Sequence, residues 1–274
     1  MNRKGITLIE LLVALTISGM LVAGLYRTFV SQQHTFTVQE QVVDMQQNVR
    51  LAINRMTREL RMAGFGRLNS TFFGGGKMHG TYEHVVTPGG DGKSVTVVGG
   101  YLNGATLTAN ALAGSTTIQV DNVSAFDLDK KKYISINGLD PHRIKNINGN
   151  QIEFFAGESL AEDHQAGEPV FLIMSITYSI GVFEGKWALL RDDHLGLGPQ
   201  PVAENIENLQ FRYIMNTGET LDVVPNNRLD DIRMIQANIV ARTDKTDPEL
   251  AKAGDGYRRR TITSNIQLRN LQFL

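Results

Sequence analysis

The chain has 274 residues, with 27 basic against 28 acidic side chains, a formal net charge of -1 and no cysteine. Balanced charge gives no electrostatic reason to bind nucleic acid, and the missing thiols exclude a disulfide framework, a thiolate metal site and a cysteine nucleophile. Its 27 glycines against 7 prolines, most of them after Gly64, point to a turn-rich β domain behind the segment that opens the chain.

That opening segment reads as one long helix with two unlike halves. From Ile6 to Leu25 the residues are nearly all apolar, and about 20 residues at about 1.5 Å each make about 30 Å of helix, enough to cross a bilayer core. From Phe29 to Ala63 the chain turns polar but keeps Val42, Met45, Val49, Ile53, Met56, Leu60 and Ala63 three or four apart, the stripe of a helix with one covered face. No proline interrupts it, and Gly19 and Gly24 lie in the apolar half, where glycine is common. The helix is therefore expected to leave the membrane, continue as a stalk under a folded head, and stop near Gly64. Arg50, Arg55, Arg58, Glu59 and Arg61 read as a solvated, mostly basic face of that stalk.

Glu10 breaks the apolar run. A carboxylate a turn inside hydrocarbon costs at least about 2.5 kcal/mol, so it points to a functional site that needs a partner; the plainer alternative is that it reaches interfacial water. Arg3, Lys4 and Gly5 immediately precede Ile6, Thr7, Leu8, Ile9 and Glu10. A short basic leader closed by Gly, then an apolar residue, with Glu five positions beyond the Gly, resembles the type IV prepilin signal. The resemblance implies cleavage between Gly5 and Ile6 by an inner-membrane prepilin peptidase, methylation of the new amine on Ile6, and retention of the span. It also implies that Glu10 pairs with the N-terminal amine of a neighbouring subunit in a filament core. The residue after the cut is usually Phe in this family and is Ile6 here. A secretory signal would instead show a small-x-small site after a shorter apolar run. With Arg3 and Lys4 retained inside, the head faces the periplasm.

Beyond the helix, residues 69–80, with Gly74, Gly75 and Gly76, read as a flexible loop. Segments 84–86 and 94–101 read as a hairpin across TPGGDGK. Gly92, Lys93 and Ser94 mimic the end of a phosphate-binding loop, but Thr87 stands where its first Gly belongs and a strand follows instead of a helix. Six short alternating strands between 105 and 171, with turns at Asn137-Gly138 and Asn148-Gly149-Asn150, read as an inserted all-β module. In it, Asp127 and Asp129 lack the pattern of a calcium loop and are taken to end a strand. Segments 173–180 and 187–193 pair through Gly181 to Gly185; strands at 202–214 and 230–243 and a basic strand near the C-terminus follow.

The order LLR, NIENLQFRY, IRMIQANIVART and a basic strand ending IQLRN resembles the C-terminal half of PilW-like minor pilins, and more distantly the GspJ-like pseudopilins of type II secretion. FVSQQHTF and RMTRELRMAGFG in the stalk are also similar to PilW-like chains. The expected fold is α+β: a pilin-like helix packed on an antiparallel β head, with a β insertion. The expected division is a leader at 1–5, the helix at 6–64 with its spanning part at 6–28, the head at 65–104 and 172–274, and the module at 105–171. Histidines 34, 79, 84, 142, 164 and 194 are scattered without a zinc motif, no GxSxG elbow occurs, and Asp192-Asp193-His194 falls in a turn where solvated polar residues are usual. The expectation is a filament component, not an enzyme, with no cofactor and no metal. As a minor pilin it would work with other minor pilins, the major pilin and prepilin peptidase, first in the inner membrane and then in an extracellular pilus, priming assembly near the tip. Two alternatives stay open: a GspJ-like pseudopilin, and a single-pass membrane protein with a periplasmic ligand-binding or hydrolytic β domain.

Overall fold

The computed structural model describes residues 7–68 and 82–271. Gly5, Ile6 and the loop expected at 69–80 lie outside the described residues.

Helix α1 (Leu8–Arg61) runs unbroken for 54 residues. Its last turn tightens, with Met62 N donating to Glu59 O at 3.0 Å and Ala63 N to Leu60 O at 3.2 Å, and Gly64 then takes a left-handed φ of 78°, as a residue just past a helix end commonly does. Arg58 and Arg61 in the last turn complement the helix dipole.

The chain divides into two compact units. The smaller comprises Met1–Gln46 and Thr243–Arg258. Within it the segment Thr243–Arg258 closes on itself, Thr243 N donating to Arg258 O at 2.9 Å and Asp247 N to Gly256 O at 2.7 Å. The buried Asp247 carboxylate accepts from the Arg258 guanidinium at 2.7 Å and lies 3.6 Å from His34.

The larger unit, Gln47–Arg242 with Arg259–Leu274, holds thirteen strands among the described residues, in two antiparallel sheets. Strands β1 (Val86–Pro88), β2 (Ser94–Thr106), β3 (Thr117–Gln119), β4 (Tyr133–Ile136), β5 (Asp140–Asn148), β6 (Gln151–Phe154), β7 (Pro169–Phe183), β8 (Lys186–Asp192) and β9 (Gln200–Glu204) make the first. Its order is β1-β2-β7-β4-β5-β6-β3, with β8 joining β7 and β9 joining β8. Strands β10 (Ile206–Met215), β11 (Thr220–Leu221), β12 (Ile232–Arg242) and β13 (Arg259–Gln267) make the second, in the order β11-β10-β12-β13.

The β1–β2 hairpin forms: Thr87 pairs with Thr96, and Gly89 N donates to Ser94 O at 2.8 Å, so Ser94 opens a strand. The boundaries expected at 104/105 and 171/172, by contrast, fall inside strands. β2 and β7 pair across both of these boundaries, from Ser94↔Ser179 to Thr106↔Pro169. Two register shifts, Gly100 to Leu102 and Asn103 to Ala105, carry β2 through a polar LNG run that a period-two pattern treats as a break. On its other edge β7 takes β4 through residues 170–172 and β8 through 177–183. The block therefore has its own apolar core, including Ile118, Ile134, Ile152 and Phe154, yet Val170 and Leu172 of β7 complete that core. A second departure is Asn205, whose φ of 59° ends β9 and starts β10 in the other sheet, where the sequence reads as one strand. Asn is among the few residues that tolerate this conformation.

In this unit the helix contributes Val49, Ala52, Met56 and Leu60, and the turn after it Ala63, all fully buried. The turn after the helix is hydrogen-bonded onto β2: Gly64 N donates to Val98 O and Gly100 N to Phe65 O, both at 2.9 Å. Gly99 permits the approach, because a Cβ there would lie 2.5 Å from the Met62 carbonyl oxygen.

Candidate functional site

At the N-terminal end of α1, Thr7 and Glu10 form a reciprocal cap. Thr7 N and Thr7 Oγ1 both donate to Glu10 Oε2 at 2.9 Å, and Glu10 N faces Thr7 Oγ1 at 3.4 Å. The spacing Thr-x-x-Glu is what lets one residue's side chain satisfy the other's backbone donor. Glu10 Oε1 has no partner among the described residues. From Leu8, 84% exposed, to Phe29, 62% exposed, the large apolar side chains stand open, and none of the span-length apolar window is buried within the chain. The helix is long and apolar enough to cross a membrane. An apolar surface of that length needs lipid or other helices to cover it.

The stalk face expected to be solvated splits in two. Glu59, with its side chain 16% exposed, accepts from Arg191 Nε at 2.9 Å and from the Tyr178 hydroxyl at 2.8 Å, while Arg55 lies 3.7 Å away. Arg58 and Arg61 line an open cleft beside Arg269.

Two of the scattered histidines also come together. Asp140 lies 3.0 Å from His142 Nε2 and 3.4 Å from His164 Nε2; His142 Nδ1 faces Glu158 at 3.8 Å and His164 Nδ1 faces Glu168 at 2.7 Å. Arg143 Nε completes the group at 2.7 Å from Glu158. Asp140, His142 and His164 are all buried, and the His142 ring stacks on Phe154 at 4.1 Å. Burial works against the charged imidazole of His142, but the Asp140 and Glu158 carboxylates outweigh it and hold its pKa above the ordinary value. Burial likewise opposes the Asp140 carboxylate, and bonds from His142, Ala161 N–H and His164 bring its pKa below the usual range. The network pins the loop between β6 and β7 to β5. Among the described residues no group of three or more His, Asp and Glu side chains is arranged to hold a metal ion. His79 lies outside the described residues.

Asp192-Asp193-His194 is engaged, not solvated. His194 Nε2 meets the hydroxyls of Thr177 at 2.8 Å and Tyr82 at 3.2 Å, Asp192 Oδ1 accepts from His194 N at 2.8 Å, and Asp193 accepts from Arg191 at 3.1 Å. The hydroxyl, imidazole and carboxylate form a series, but Asp192 Oδ2 stands 3.8 Å from Nδ1, and the Thr177 hydroxyl, in the middle of β7, is also tied to Thr96 at 2.7 Å. These contacts fasten the turn after β8 to the sheet. Asp127 Oδ1 is occupied by its own turn, accepting from the backbone N–H groups of Asp129, Lys130 and Lys131.

Residues 1–26 match the family model of the prokaryotic N-terminal methylation motif. Residues 1–26 thus carry that motif, and they lead into a long, apolar-ended helix that precedes an antiparallel β head. No curated protein matches the chain. Among solved structures, the Type IV-like pilin TTHA1219 from Thermus thermophilus aligns at 13% identity, over 82% of this chain and 97% of that one, with a TM-score of 0.35.

Proposed function

We propose that this chain is a minor pilin of a type IV pilus. It is made as a single-pass inner-membrane precursor with a periplasmic head, cut between Gly5 and Ile6 by prepilin peptidase and methylated on Ile6. It then joins other minor pilins and the major pilin near the pilus tip and primes assembly. The observation that carries this proposal is a methylation motif at residues 1–26 leading into a span-length helix that nothing in the described chain covers. Two further observations support it. Glu10 Oε1 has no partner among the described residues and stands beside a capped helix start, where a neighbour's amine can reach it, and a head with thirteen strands among the described residues is bulky for close repetition along a shaft.

Intact-mass measurement on the chain from cells with and without prepilin peptidase tests the processing step. Loss of residues 1–5 plus one methyl group is expected only with the enzyme, and Gly5→Val should leave the chain uncut. A full-length mass in the presence of the peptidase would remove the pilin role. Labelled heads should be few and near pilus tips; regular labelling along the shaft would overturn the minor role.

A further inference from the structure

The end of α1 and the end of the chain enclose an open cleft of about 640 Å³ within the larger unit. Its polar wall holds three arginines from two elements: Arg58 and Arg61 from the last turn of α1, and Arg269 from the 3₁₀ turn Arg269–Leu271 after β13. All three are exposed, and none makes an ion pair or side-chain hydrogen bond among the described residues. On the strands Arg143, Arg191, Arg212 and Arg259 each meet a carboxylate, whereas Arg233 bonds to backbone carbonyls. The helix dipole accounts for Arg58 and Arg61 but not for Arg269, and three like charges around one cleft repel one another unless an anion sits among them.

Two more features mark the cleft as built. The Thr57 hydroxyl in its wall is buried with no hydrogen-bond partner among the described residues, a state that native structures rarely leave uncompensated. Asn270 Nδ2 reaches the carbonyls of Arg61 at 3.5 Å and Ala63 at 3.3 Å, which fixes the Arg269 turn against the helix end. Beside the arginines the lining is apolar, from Met62 and Phe65.

We propose that this cleft receives an acidic segment of a neighbouring filament subunit, its aspartate or glutamate carboxylates held by Arg58, Arg61 and Arg269 and an adjacent apolar residue set against Met62 and Phe65. This rests on the proposal above that the chain assembles with other pilin subunits. The planar guanidinium fork matches a carboxylate in two parallel hydrogen bonds. A nucleic acid is the poorer fit, since it needs a cationic track along which a backbone can run, whereas these arginines ring one bounded cleft on a chain whose net charge is -1.

The test uses the full chain in detergent micelles and a fluorescent peptide of alternating glutamate and glycine around one phenylalanine, read by anisotropy. Saturable binding that weakens with salt is expected. Replacing Arg58, Arg61 and Arg269 together by Gln should lower affinity about tenfold or more, and the corresponding glutamine peptide should not bind. A triple lysine variant keeps the charges but not the forks, and should fall between the two with an unchanged circular dichroism spectrum. Equal peptide binding by the triple Gln variant overturns the proposal, as does displacement of the peptide by inorganic phosphate or tighter binding of a single-stranded oligonucleotide of equal charge. The two proposals fail separately: a chain that is cut and methylated in cells but binds no acidic peptide refutes only the cleft, while an uncut chain refutes the pilin role.

Discussion

Glu59 joins the stalk helix to strands well over a hundred residues away, through Arg191 on β8 and Tyr178 on β7. Both members of the ion pair are largely buried, so removing one leaves the other charge without compensation. Glu59→Gln should destabilise the head by about 3 kcal/mol, seen as a lower denaturant midpoint; a change within about 0.5 kcal/mol would mean that the pair is solvated. His142 supplies a pH dependence with a definite sign. Because Asp140 and Glu158 outweigh burial, the folded chain keeps the imidazole proton to higher pH than the unfolded chain. That stabilisation is complete below the ordinary value of 6.5 and fades as pH rises through the folded value. Asp140 acts in the other direction, stabilising above 3.8 and losing its contribution as pH falls. With Arg143, His164 and Glu168 closing the same group, the loop before β7 is held best in mildly acidic solution. Amide protection in residues 155–168, corrected for intrinsic exchange, should hold below about pH 6.5 and drop as pH rises from there to about 8, and His142→Gln should flatten the profile. Protection that rises over this range in the unaltered chain would show the sign to be wrong.

At the scale of elements, β7 is the strand on which the head turns. β2 occupies one edge over eleven paired positions, and β4 and β8 share the other. Leu107 N donates to Glu168 O at 2.9 Å and Gly167 N to Leu107 O at 2.8 Å, so the segment 107–168 begins and ends at one point, next to the last rung of β2 and β7. Replacing 107–168 by a short Asn-Gly turn should close β2 and β7 into a hairpin and leave a protease-resistant remainder, since β7 keeps β2 and β8. Excision of 105–171 removes rungs of the β2–β7 ladder as well as Val170, and should be the worse tolerated of the two. Limited proteolysis of both deletions in the full chain decides it; degradation of the 107–168 replacement would mean that the module and the head fold only together.

For the whole molecule, the exposed apolar end of α1 is what demands an assembly or a membrane, and Glu10 is its one costly position. A carboxylate unpaired in hydrocarbon costs at least about 2.5 kcal/mol, so Glu10→Leu should insert no worse than the unaltered chain and leave the head's melting transition in place. It should nevertheless lower recruitment into pili and reduce pilus number, because an incoming helix would then bring no charge for a neighbour's amine to meet. Normal piliation and normal co-purification of pilin subunits with the variant would refute this role for Glu10.

What the sequence alone determined are features whose cause is local: the apolar run, Glu10 within it, the heptad-like stripe from Val49 to Ala63, and hairpins announced by Gly and Asn. Each follows from helical or strand periodicity, or from a turn's need for a left-handed residue, over a few positions. What only the tertiary structure decided are partnerships without a local mark. β2 runs past two register shifts to pair with β7, Asn205 hands the chain from one sheet to the other, and Asp140 gathers His142 from its own strand and His164 from a distant loop. Glu59 and Arg58 are adjacent in sequence on one helix, yet one is buried against Arg191 and the other lines an open cleft. Which side chain is covered depends on which distant strand arrives there, and that is settled by the burial and hydrogen bonding of the whole head, not by the pattern around any one residue.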